Sequence, residues 1–155
     1  MKYIIMFAAI SMGVLTFVTS SGITSFKPFD YETATLEERQ AWMDGQANTI
    51  RKAARWFLPS GRGPAELNMY LKDVVTNVSK REMLMSINVK VPYGARVSGV
   101  PKQKFLKGFC KNYVKSGLYK QKIKFMADFI NQSKKRRISR ITVYPSDCRW
   151  AEKEA

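Results

Sequence analysis

Cys110 and Cys148 are the only two cysteines of the chain, and a bond between them is the strongest single constraint on how it can fold. In an exported protein two cysteines pair most simply with each other. The bridge closes a loop of about 38 residues, and loop-closure entropy gives it roughly 4 kcal/mol, less any native strain. That is a large share of the stability of a small domain. A redox or nucleophilic thiol has little behind it. There is no CxxC spacing, and the chain contains no histidine to act as base. The bridge is read as structural, tying a helix to the end of a final strand.

The N-terminus supplies the export signal that this pairing needs. Lys2 precedes an apolar run from Tyr3 to Val18, and Val18-Thr19-Ser20 offers small or branched residues for cleavage after Ser20. An uncleaved membrane anchor is the competing reading, although a spanning helix needs roughly 20 residues. Both readings place the body outside the cytoplasm, because a lysine ahead of the run keeps the N-terminus inside. The organisation expected is a signal or anchor over 1–20, a linker over 21–35, a domain over 36–148 and a polar tail over 149–155. Within the linker, Phe26, Phe29 and Tyr31 are candidates for docking onto the body.

With 155 residues, 45% of them hydrophobic and 25% charged, the chain has enough apolar surface for one modest core. Its periodicity switches several times. Thr35-Leu36-Glu37-Glu38 matches a capping box. The helix it opens runs from Leu36 to about Leu58, with Met43, Ala47, Ile50, Ala54 and Phe57 on one stripe. Two strands follow. One spans about Leu71 to Val78, and in the other Met83, Met85, Ile87, Val89 and Val91 alternate with Leu84, Ser86, Asn88 and Lys90. The methionines read as core filling rather than a soft-metal site, with no cysteine or histidine beside them.

A second helix begins at Pro101. It sets Phe105, Leu106, Phe109, Cys110 and Tyr113 on one face and Lys104, Lys107, Lys111 and Lys115 on the other, with Ser116-Gly117 as its C-cap. Alternation from Tyr119 to Ile130 then predicts a strand with Lys120, Lys122 and Lys124 on one face. A charged turn over 131–136 leads to a last strand, Ile138 to Tyr144. The expected fold is α+β: about four antiparallel strands packed against two helices.

Candidate chemistry is sparse. The twelve carboxylates are scattered. A glycosidase-like pair such as Asp73 with Glu82 could form across the first hairpin, but nothing in the sequence favours it. No serine sits in a nucleophile elbow, and Gly61-Arg62-Gly63-Pro64 is too short for a phosphate loop. No catalytic residue, metal ligand or cofactor is assigned.

The sharpest functional signal is charge. The formal net charge is +15, and between the cysteines ten lysines and arginines face two aspartates. Lys120, Lys122 and Lys124, with the run Lys134, Lys135, Arg136 and Arg137, are the candidate polyanion-binding residues. The competing reading is a solvated face with lysines that protect a sheet edge. Outside the cytoplasm the expected partners are an anionic envelope polymer, lipid headgroups or an acidic protein, and export disfavours nucleic acid.

From about Asp73 to Cys148 the chain resembles small bacterial envelope proteins. Val74–Val91 correspond to a first hairpin, Cys110 to a helix cysteine, and Leu118-Tyr119 with Val143–Cys148 to a final hairpin that ends in cysteine. The resemblance implies a periplasmic location and no known activity; the lysine content is not part of it. Together these readings describe an exported, non-catalytic binding or accessory protein of a bacterial envelope. The alternatives are a membrane-anchored subunit of a secretion or motility assembly, and a small hydrolase or inhibitor-type effector.

Overall fold

The structure is a computed structural model that describes residues 3–5, 28–57, 68–91, 93–94, 96–99 and 101–154. In chain order the elements are β1 (Tyr3–Ile5), α1 (Leu36–Phe57), β2 (Asn68–Asn77), β3 (Glu82–Lys90), β4 (Arg96–Ser98), α2 (Lys102–Tyr113), α3 (Gly117–Lys120), β5 (Lys124–Asn131) and β6 (Arg136–Val143). A 3-10 turn (Pro145–Cys148) and the helical turn α4 (Arg149–Glu152) close the chain.

The fold is α+β. Four strands form one sheet in the order β2-β3-β5-β6. The β2–β3 and β5–β6 pairs are antiparallel hairpins. The central pair, β3–β5, is parallel, with Met83 opposite Phe125 and Ile87 opposite Phe129. The expectation of an all-antiparallel sheet is corrected at this one pairing. Parallel neighbours need a long crossover, usually helical, and α2 lies in the connection between β3 and β5. β1 pairs in parallel with β4 as a separate two-stranded ribbon.

One face of the sheet is covered. On β3, Met83, Met85, Ile87 and Val89 are buried while the residues between them are half-exposed. Met43, Ala47, Ile50 and Ala54 of α1 and Phe105, Leu106, Phe109 and Tyr113 of α2 share a single core cluster with them. The Phe109 and Phe125 rings lie 4.8 Å apart, which seats α2 over the middle of the sheet. Helix α1 opens on the expected capping box: Thr35 N–H donates to Glu38 Oε2 at 2.7 Å, and Glu38 N–H donates to Thr35 Oγ1 at 3.2 Å.

The disulfide joins Cys110 to Cys148, with Cα atoms 5.1 Å apart and both residues fully buried. It fastens α2 to the turn that follows β6. The segment beyond it, expected to be a polar tail, docks as α4, with Ala151 buried and the Tyr119 hydroxyl donating to Glu152.

The expected linker is also built in from Pro28 onward. Tyr31 is buried, and its hydroxyl donates to Val78 O at 2.8 Å. Phe29 stacks on Trp42 with centroids 4.9 Å apart. Gln121 holds this segment at both ends of its amide: Oε1 accepts from Tyr31 N–H, and Nε2 donates to Phe29 O. Both aromatics therefore dock as expected; Phe26 lies outside the described residues.

Most of the N-terminal apolar run, 6–18, and the candidate cleavage site also lie outside the described residues. Of that run, Tyr3–Ile5 are described, and they are extended. Among the described residues no helix is long and apolar enough to cross a membrane.

Candidate polyanion-binding surface

The stretch from Tyr119 to Lys124 differs most from its reading as a strand. Ser116 caps a new helical turn, its hydroxyl accepting from Tyr119 N–H at 3.3 Å; it is not the C-cap of α2. Gly117 lies inside this turn against Trp42, where an added Cβ would meet Cζ2 at 3.3 Å.

The turn then ends in a Schellman arrangement. Ile123 N–H donates to Leu118 O and Lys122 N–H to Tyr119 O, both at 2.9 Å. Leu118 and Ile123, both fully buried, form the apolar pair that goes with this motif. Lys122 takes the left-handed position with φ 57°, where glycine is the usual residue. β5 starts only at Lys124.

The expected lysine face therefore does not form. Lys120 ends α3, Lys122 caps it, and Lys124 sits on the uncovered face of the sheet, ion-paired to Glu82. The four basic residues Lys134 to Arg137 occupy the β5–β6 turn and the start of β6. They lie at the far end of a strand that runs from Lys124 to Asn131. At about 3.3 Å per residue, the two groups are roughly 25 Å apart, at opposite ends of β5.

Charge on the uncovered face is largely neutralised from within. Asp128, 7% exposed, accepts from Arg140 Nε at 2.6 Å and from a second Arg140 nitrogen at 2.7 Å. Arg137 approaches the same carboxylate at 3.9 Å. Lys124 is thus tied to the sheet through Glu82, while Arg137 remains exposed beside Asp128. Lys120, Lys122, Lys134, Lys135 and Arg136 are exposed and have no ion-pair partner among the described residues.

The sequence left one further basic row without a function. Lys104, Lys107 and Lys111 are exposed along α2, and Lys115 is exposed just past its end. Only Lys111 is paired among the described residues, to Glu154 at 3.7 Å. At 1.5 Å rise per residue the three lysines on the helix span roughly 10 Å, and the chain continues through Lys115 to Lys120 and Lys122. The row's spacing of three and four residues was the available signal.

Lys120 and Lys122 also line a cleft of about 320 Å³ together with Arg81, Phe29, Asp30 and Glu32. Arg81, in the β2–β3 turn, bonds Glu32 at 2.9 Å and lies over the Tyr31 ring. The Arg81 hydrogen bond, with further attraction from Arg81 and Lys122, holds the Glu32 carboxyl below the usual range.

The carboxylate pair weighed for catalysis, Asp73 with Glu82, is not brought together. Asp73 faces Ser86 and Glu82 faces Asn77, so the candidate carboxylate pair is four residues out of register, roughly 13 Å along the strands. Each is committed elsewhere, Asp73 to Arg51 and Glu82 to Lys124. Among the described residues no group of three histidine, cysteine, aspartate or glutamate side chains is placed to hold a metal ion. Comparison with protein-family models, curated proteins and solved structures finds no match.

Proposed function

We propose that the protein is an exported, non-catalytic binding or accessory protein of a bacterial cell envelope, and that it meets an anionic surface through its lysine-rich side. The carrying observation is the run of exposed lysines along α2 and around α3. Lys104, Lys107, Lys115, Lys120 and Lys122 are exposed and lack acidic partners among the described residues. Cations in such a row attract clustered phosphates or carboxylates.

Export is supported by the disulfide, since such bonds persist in oxidising compartments. It is also supported by the apolar run that follows Lys2. The resemblance of its cysteine and strand order to small envelope proteins is an expectation from the sequence alone, and it implies the same periplasmic location.

Sedimentation with phosphatidylglycerol vesicles over a salt series tests the surface. Binding is expected to weaken steeply between low and physiological salt as charge is screened, and a Lys104→Gln/Lys107→Gln variant is expected to bind less. Binding that ignores salt overturns the proposal. Mass analysis of the mature N-terminus tests export; a chain that retains Met1 in the cytoplasmic fraction counts against it.

A further inference from the structure

We propose that the cleft between the docked Pro28–Thr35 segment and the α3–β5 turn binds an organic phosphomonoester, with Glu32 as its built-in competitor. The inference rests on the reading of the protein as one that meets anionic partners, and it identifies one group such a partner would carry.

Three cations converge here from separate places: Arg81 from the β2–β3 turn, Lys120 from the end of α3, and Lys122 from its cap. Two of them hold left-handed backbone, Arg81 at φ 50° and Lys122 at φ 57°. Glycine is the unstrained choice at such positions, so the chain keeps positive charge in this cleft against local preference. Lys135, in the β5–β6 turn, takes the same backbone at φ 48°, so it is the convergence of the three cations that distinguishes the cleft.

The other polar groups of the cleft are occupied. Gln121 is bonded at both ends to the Pro28–Thr35 segment. Asp30 accepts from Glu32 N–H at 3.0 Å and from the Thr33 hydroxyl at 3.2 Å. That leaves the ammonium groups of Lys120 and Lys122, and an Arg81 guanidinium engaged by one exposed carboxylate, Glu32.

The competitor decides the ligand class. A carboxylate ligand would exchange one negative charge for another that is already tethered beside Arg81, and tethering gives Glu32 a high effective concentration. A phosphate dianion brings a second charge and a third oxygen. It can engage the guanidinium in two parallel bonds and still reach a lysine. The cleft holds far more than a phosphate group, and Phe29 offers an apolar wall to whatever the phosphate is attached to.

The test is titration of the full chain with glycerol 3-phosphate and, separately, with acetate at constant ionic strength, followed by the backbone amide signals of Arg81, Lys120 and Lys122. Saturable shifts are expected with the phosphate and none with acetate. Glu32→Gln is expected to tighten phosphate binding about fivefold by removing an exposed ion pair. Lys122→Gly is expected to weaken it about tenfold through loss of a charge-assisted bond while raising the melting temperature. Equal responses to both anions, or a Glu32→Gln variant that binds no tighter, overturn the proposal.

Vesicles distinguish the source of the phosphate. Preference for phosphatidic acid over phosphatidylglycerol that disappears in Lys122→Gly assigns a lipid headgroup. A glycerol 3-phosphate response without that preference assigns a soluble ligand. The salt-sensitive binding of phosphatidylglycerol through α2 is read independently, so failure of the cleft leaves the broader reading standing.

Discussion

Lys122 and Lys135 sit where a turn favours glycine, at φ 57° and 48°. A side chain in left-handed backbone costs roughly 1–2 kcal/mol, part of which glycine returns as chain entropy. Lys122→Gly and Lys135→Gly are each expected to stabilise the protein by about 0.5–1 kcal/mol, read by urea denaturation; a loss of stability in either contradicts this account. Tyr31, Tyr113 and Tyr119 make a second residue-scale prediction. Burial is the leading cause that raises all three above the ordinary phenol value, Tyr113 furthest. A raised folded value means that stability is intact below about pH 10, where the unfolded chain starts to ionise, and is lost as pH rises beyond it. Alkaline spectrophotometric titration is expected to show a delayed class of tyrosines that merges with the normal class on unfolding. Glu32 and Glu38 act with the opposite sign. Their carboxyls are lowered, Glu32 by Arg81 and Glu38 by its bonds to Thr35, so their contribution holds above the unfolded carboxyl value and fades as pH falls through the lowered one.

Elements were legible wherever one period ran without interruption. The stripe from Met43 to Ala54 and the alternation from Met83 to Val89 correspond to α1 and β3 almost residue for residue. The segment after Gly117 departs from its strand-like pattern for a specific reason. Tyr119, Gln121 and Ile123 alternate with lysines, as a half-buried strand would, and the cap position that would have announced a helix end holds Lys122 rather than glycine. β5 consequently begins at Lys124. The docked N-terminal segment hangs on one side chain of that turn. Gln121→Ala removes two bonds, 2.9 and 2.7 Å long, and is expected to cost about 1–3 kcal/mol by leaving polar groups without partners, measured by chemical denaturation; an unchanged midpoint contradicts the docking. The bridge joins two other elements. A Cys110→Ala/Cys148→Ala variant, opening a 38-residue separation, is expected to lose about 4 kcal/mol while retaining its fold, since Phe109 and Tyr113 keep α2 on the core. A loss near zero would show that loop closure is not its main contribution.

At the scale of the whole molecule, composition determined a great deal. Twenty-seven lysines and arginines cannot be neutralised by twelve carboxylates in any fold, so some basic surface had to remain. The cysteine pair could close only on itself, and apolar periodicity determined which faces were buried, because side-chain direction follows locally from helix and strand geometry. Which cations remain free was a tertiary outcome. The sheet brings Asp128 beside Arg140 and Arg137, and Glu82 beside Lys124, pairing Lys124 closely and Arg137 only at 3.9 Å. The length of β5 separates the rest into two ends, while the cap of α3 turns Lys120 and Lys122 toward Arg81. Local sequence specifies periodicity and caps, since both depend on neighbours a few residues away. The parallel pairing of β3 with β5 and the gathering of Arg81, Lys120, Lys122 and Glu32 in one cleft depend on contacts between residues tens of positions apart. Those contacts form only once the crossover through α2 has brought the two hairpins together.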